Sequence, residues 1–160
     1  MKKIISLFTM AILITLVSCS PTQKMTTSNK NKINGSFTLT SIEYSNTQDK
    51  FKSVLFGEAD IDCFRGSQWN FIENNNSGKY TIQSNADCSG ATRNIKWNLI
   101  DEGGQQFFQF KRLEDGFKAK DITAGYRLQL TSITSYGMQM VQSANANGQS
   151  LNLIYTFTKN

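Results

Sequence analysis

The chain has 160 residues, with 17 lysines and arginines against 12 acidic residues, no histidine and a formal charge of +5. Without imidazole there is no His general base and no His metal ligand, and no basic stripe with interleaved aromatics marks a nucleic-acid binder. The composition therefore argues against an enzyme, against nucleic acid as a partner and against any cofactor.

The first nineteen residues read as an address. Lys2 and Lys3 precede an apolar run from Ile4 to Val17. A bilayer-crossing helix needs about 20 apolar residues, so this shorter run suits the h-region of a secretory signal, residues 1–18. Leu16-Val17-Ser18-Cys19 then resembles the lipobox of bacterial lipoproteins. The resemblance implies lipidation of Cys19 with palmitate-type acyl chains and an anchor in the cell membrane. Several acyl chains give stable anchoring where a single one gives reversible binding. Ser20 is not the aspartate of an inner-membrane retention signal, which points to the outer membrane, facing the periplasm.

Loss of the signal removes Lys2 and Lys3 and lowers the charge to +3. The densest basic spots left, Lys111-Arg112 and Lys118 with Lys120, read as a solvated strand face. Residues 19–32 are rich in Thr, Ser, Asn and Lys and include the only proline, Pro21. No apolar period appears, so a flexible tether is expected there. One domain then runs over 33–160, a length that suits a single core.

Inside it the apolar period is two. Trp69 and Phe71, Tyr80 and Ile82, Ile95, Trp97 and Leu99, Phe108 and Phe110 alternate with polar neighbours. So do Leu128 and Leu130, Met138 and Met140, and Leu151, Leu153, Tyr155 and Phe157. The runs are separated by "NNNSG" (74–78), "DEGG" (101–104) and "ANANGQ" (144–149), which is hairpin punctuation. Only 51–56 has spacing for a helical turn. The expected fold is all-β: an eight- to nine-stranded antiparallel up-and-down β-barrel with little helix, one of its strands at 117–122.

Register can be tested by centring each hairpin. Centring on Asn75–Asn76 opposes Phe71 to Tyr80, Trp69 to Ile82 and, extended, Cys63 to Cys88. Centring on Glu102–Gly103 opposes Trp97 to Phe108 and Ile95 to Phe110. Centring on Ala146–Asn147 opposes Met140 to Leu153 and Met138 to Tyr155; a turn at Thr134 opposes Leu128 and Leu130 to Met140 and Met138. A slip of one residue would turn every apolar side chain outward. With Cys19 lipidated, Cys63 and Cys88 form an even pair in an oxidising compartment, and a disulfide follows.

The stretches "INGSFTLTSIEY" (33–44), "GSQWNFIENNNSGKYTIQSNADCSG" (66–90), "IKWNLI" (95–100), "GYRLQLTSI" (125–133) and "LIYTFTK" (153–159) together resemble the bacterial lipocalin-like lipoproteins. Gly35-Ser36-Phe37 stands where lipocalins carry Gly-x-Trp, and no counterpart stands out for the late arginine that covers that tryptophan. The resemblance implies a calyx for a small apolar molecule. Trp69, Phe71, Tyr80, Trp97, Phe108, Phe110, Met138, Met140 and Tyr155 fall on the inward face and are the candidate ligand contacts. The same residues would equally fill a small barrel, leaving an interaction protein that presents its loops to an envelope partner. Glu58, Asp60 and Asp62 in "GEADID" lack EF-hand spacing and read as a solvated loop.

Overall fold

The structure is a computed structural model and describes residues 21–45, 53–116, 118–146 and 149–160. Cys19 and the apolar run before it lie outside the described residues.

Eight strands in sequence order form a closed antiparallel barrel: β1 (Gly35–Tyr44), β4 (Gln68–Ile72), β5 (Ser77–Ile82), β6 (Ala91–Glu102), β7 (Gln105–Leu113), β8 (Tyr126–Ile133), β9 (Gly137–Ala146) and β10 (Gln149–Lys159). β1 pairs with both β4 and β10, which abolishes sheet edges and leaves every strand with two neighbours. The long connection from β1 to β4 carries a two-residue hairpin, β2 (Val54–Leu55) and β3 (Ala59–Asp60), and a single helical turn, α2 (Ile61–Phe64). Asp60 caps α2 by accepting a hydrogen bond from the Asp62 amide at 3.0 Å. Residues 51 and 52 of the expected helical turn are outside the described set, and Val54–Leu55 is extended.

Alternation does what a period of two requires. Phe37, Leu39, Trp69, Phe71, Tyr80, Ile95, Trp97, Phe108, Phe110, Leu128, Met140 and Tyr155 are all buried inside the barrel. Every hairpin, however, departs from its expected register, by two residues in three of them and by two or three on either side of a bulge in β8–β9. Trp69 pairs with Tyr80 and Phe71 with Gly78. Trp97 pairs with Phe110 and Leu99 with Phe108. Met140 pairs with Tyr155 and Met138 with Phe157, while a bulge between Leu130 and Ser132 sets Leu130 against Met140 and Ile133 against Met138. Turn chemistry explains the shift at β6–β7. Gly103 and Gly104 have φ of 61° and 83°, so they form the two-residue loop and Glu102 pairs with Gln105.

Two further expectations are corrected. Residues 21–33 are not irregular: α1 (Pro21–Ile33) is a helix laid across one end of the barrel. Its Asn29 donates to the Gln106 side chain at 2.7 Å, and Gln106 donates to Thr26 at 3.2 Å. Its last residue, Ile33, is fully buried. The segment 117–122 holds no strand among its described residues; Ala119–Asp121 is a 3-10 turn. It is tied down by the Lys111 ammonium, which donates to the carbonyls of Ala119 (3.3 Å) and Ile122 (2.7 Å).

Candidate functional site at the barrel mouth

The end opposite α1 is the mouth, where the described residues 53–67, 83–90, 114–116 and 118–125 of the connections meet. The β2–β3 hairpin dips its tip into it. The Glu58 amide donates to the Leu55 carbonyl at 3.0 Å, closing a turn over Phe56 and Gly57. Both central residues have positive φ, 51° for Phe56 and 62° for Gly57. Glycine takes that conformation freely, whereas a phenylalanine there costs on the order of 1 kcal/mol. Packing supplies the compensation. The Phe56 ring is 5 % exposed. It meets Phe110 at 5.0 Å, Tyr126 at 5.1 Å and Phe64 at 5.3 Å edge-on, and lies stacked on Tyr155 at 5.9 Å.

The tip is also latched by polar contacts. The Phe56 carbonyl accepts hydrogen bonds from the Tyr126 hydroxyl and from the Arg112 guanidinium, the latter at 3.2 Å. The Glu58 side chain is 8 % exposed, with Arg93 Nε at 2.7 Å and Arg112 at 3.5 Å. The Tyr80 hydroxyl donates to the same carboxylate. Burial, then this bond and the charge of Glu58, hold the Tyr80 phenol well above its ordinary range. Glu58 is thus no solvated loop residue: two arginines and a tyrosine surround it, the partners a buried carboxyl group needs. Arg112, expected on a solvated face, points toward the mouth for the same reason. Of the remaining acids, Asp60 caps α2, and Asp62 is exposed and pairs with Arg65.

All nine candidate contacts face inward, and none is more than 3 % exposed. They are brought together as a stack of rings: Trp69 on Tyr80 at 4.6 Å, Trp97 on Phe108 at 5.6 Å, Phe71 edge-on to Phe108 at 5.5 Å. Met138 and Met140 fill the wall beside them. The polar atoms of the rings are used internally. Trp69 Nε1 donates to Ser67 Oγ (2.9 Å), Trp97 Nε1 to the Ser77 carbonyl (2.7 Å) and the Tyr155 hydroxyl to Gln142 (2.7 Å). Burial also raises the Tyr155 phenol far above its usual value. Of three clefts, those of about 410 and 400 Å³ are lined by no member of this stack, and the third, of about 510 Å³, includes Trp97 and Phe110 in a lining made mostly of polar residues of β6, β7 and the turn after β7.

Sequence reasoning missed Phe56, Glu58, Arg93, Arg112 and Tyr126. The readable signal was Phe56-Gly57, a turn dipeptide between "VL" and "EADID". It did find the cysteine pair, by an incomplete route. Cys63 and Cys88 are disulfide-bonded with Cα atoms 5.6 Å apart. Cys63 belongs to α2 and Cys88 to the 83–90 connection, so the bond staples two mouth segments and is not a cross-strand pair.

Eight sequential strands close on themselves, a helix covers one end and a long first connection crosses the other. The result is a closed eight-stranded up-and-down β-barrel. No protein-family model and no curated protein matches the chain. Among solved structures it is similar to a lipocalin-like protein from Bacteroides uniformis, at 13 % identity and a TM-score of 0.46, over 81 % of this chain and 99 % of that one. It is also similar to bovine odorant binding protein in complex with a selenium-containing odorant, at 9 % identity and a TM-score of 0.42, over 82 % and 73 %. Neither likeness assigns a role to any residue here. One further contact ties the start of the first strand to the end of the last: Lys159 Nζ lies 5.4 Å from the Phe37 ring. The same ammonium donates to the carbonyls of Lys32 (3.2 Å) and Asn34 (2.9 Å).

Proposed function

We propose that this chain is a lipid-anchored protein of the bacterial envelope that takes up a small hydrophobic ligand at the mouth of its barrel, in the space Phe56 fills. It is read as a binding protein, with no reaction assigned. The observation that carries this is the plug. The ring closing the aromatic cup comes from the tip of a two-residue hairpin with an unfavourable backbone angle, and not from a barrel strand. Swinging that tip away uncovers Trp69, Phe110, Tyr126 and Tyr155, with Arg112 left as a polar handle at the rim. Rings with one polar group at the edge suit a mostly apolar molecule.

The anchor belongs to the same reading. α1 begins at Pro21, two residues past Cys19, so acyl chains there would hold the α1 end toward the membrane and leave the mouth facing the aqueous side. The envelope location, with the outer membrane as its site, rests on the lipobox resemblance and on Ser20.

A second reading has its own support. The interior ring stack is closely packed and its polar atoms are paired inside the protein, as expected for a filled barrel that serves protein partners through its loops.

Native mass spectrometry of residues 20–160 with 1-aminoanthracene decides between them. One bound probe in the wild type, bound more tightly by Phe56→Ala, supports the ligand reading. If neither form binds it, the filled barrel remains. The anchor is tested separately by the mass of the mature amino terminus and by Cys19→Ala, which should remain unprocessed.

A further inference from the structure

The outer face of β6, β7 and β8 has a gradient that the barrel does not need. Pairing aligns Lys96 with Lys111, Asn98 with Gln109 and Ile100 with Phe107. On the far side of β7, Gln109 faces Arg127 and Phe107 faces Gln129, which in turn faces Val141. On β6 and β7 successive outward rows are therefore cationic, amide and apolar, with Arg127 and Gln129 of β8 beside the second and third. Rows lie two residues apart, so lysines and Phe107 are separated by about 13 Å along the strands.

The cationic row is unusual in itself, because like charges placed directly opposite each other on a sheet repel. Each lysine turns away from the other. Lys96 Nζ donates to the Asn75 carbonyl at 2.8 Å, and Lys111 to the carbonyls of the 3-10 turn. Between them opens a cleft of about 510 Å³, walled by Lys96, Lys111, Asn98 and Gln109 and flanked by Lys120. A second cleft of about 400 Å³ adjoins it through Gly125, Tyr126 and Arg127 and ends at Phe107 and Val141. No carboxylate is among the described residues lining either cleft. Arg127 is already occupied, paired with Glu102 at 2.5 Å and lying 3.8 Å over the Phe107 ring. The uncompensated charge is thus that of the three lysines.

We propose that this outer groove binds an anionic amphiphile, separately from the barrel interior. A carboxylate or phosphate head sits among Lys96, Lys111 and Lys120, with the Asn98 and Gln109 amides beside it. A medium-length acyl tail runs along the amide row to Phe107 and Val141. The anion relieves the lysine–lysine repulsion, and the tail packs along the half-buried Phe107 and Val141 beside the Arg127 guanidinium.

The test uses the full chain in neutral phosphatidylcholine nanodiscs with photoactivatable decanoate, decyl phosphate and decanol probes, their attachment sites mapped by mass spectrometry. Labelling should fall within residues 96–111 and 119–129 for the two anionic probes and be about tenfold weaker for decanol, the loss expected for a charge-assisted contact. The double variant Lys96→Gln/Lys120→Gln, both surface positions, should weaken anionic labelling by about tenfold while the melting temperature without probe does not fall. Preference between carboxylate and phosphate tells a free fatty acid from a lysolipid. Equal labelling by decanol, labelling concentrated on residues 54–64, or indifference to the lysine variant would each overturn the outer site. Labelling of residues 54–64 would instead favour the mouth.

Discussion

The two ends of the barrel are both stoppered, and by different physics. At the α1 end the seal is a polar helix. Its amide and hydroxyl side chains meet Gln106, one isoleucine is buried, and Lys159 pins the helix end through two backbone carbonyls. At the mouth the seal is an aromatic ring on a positive-φ turn, held by a carboxylate between two arginines. A neutral hydrogen-bonded seal is worth about 1 kcal/mol per bond and has no switch. The mouth seal joins a large apolar contact to backbone cost and buried charge, so it is stable while intact and opens as a unit when one component fails.

The largest expected effect is at the ring itself. Phe56→Ala should lower stability by about 3–4 kcal/mol, read as a reduced urea midpoint, because it empties a site lined by five other rings. It should also let an apolar dye enter, with quenching of Trp69. A midpoint within experimental error of the wild type would show that the tip does not plug the barrel. The disulfide comes next. Cys63 and Cys88 close a loop of 25 residues in sequence separation, so Cys63→Ser/Cys88→Ser should cost about 3 kcal/mol on the chain-entropy account. Hydrogen exchange should place the loosening at 54–67 and 83–90, leaving α1 protected; equal loosening of α1 would erase the distinction between the ends.

Glu58→Gln follows at about 2 kcal/mol, since the half-buried Arg112 keeps only the exposed Glu114 carboxylate, 3.9 Å away, while Arg93 regains solvent. Alkaline pH reaches the same latch from another side. Folding raises the Tyr80 and Tyr155 phenols above their ordinary value of 10.0. The unfolded chain therefore loses those protons first, so this contribution is intact below pH 10 and declines as pH rises above it. Tyr80→Phe should flatten the alkaline fall in denaturation midpoint; an unchanged profile would remove Tyr80 from the account.

How much of this could be read beforehand differs by feature. A period of two fixes which face of a strand is inside, and every inward assignment from Trp69 to Tyr155 follows from it. It cannot distinguish registers two residues apart, because both keep the same face buried. Only turn chemistry can, and Gly103-Gly104 did contain that information. α1 was illegible for another reason: it buries only Ile33 among its described side chains, so no 3.6-residue apolar period exists to be seen. Phe56 and Glu58 were hidden because their environment is assembled from distant strands. Tyr80 is 22 residues from Glu58, Arg112 is 54 away and Tyr126 is 70 from Phe56. A carboxylate among acidic neighbours looks solvated until those partners are placed around it.

The smallest expected effect is the most discriminating, because it lies at the other end. Gln106 is 7 % exposed and joins two residues of α1, accepting from Asn29 and donating to Thr26. Gln106→Leu keeps roughly the volume, removes both bonds and leaves Asn29 and Thr26 able to turn to water. The loss should be about 1 kcal/mol, the net worth of such bonds when their partners can be resolvated. Amide exchange should speed up in 21–33 while dye entry and the protection of 54–67 stay as in the wild type. If loosening α1 also admits dye, the two seals are coupled through the ring stack between them. Uptake would then be governed by the whole interior, and the hairpin tip would not act as an independent plug.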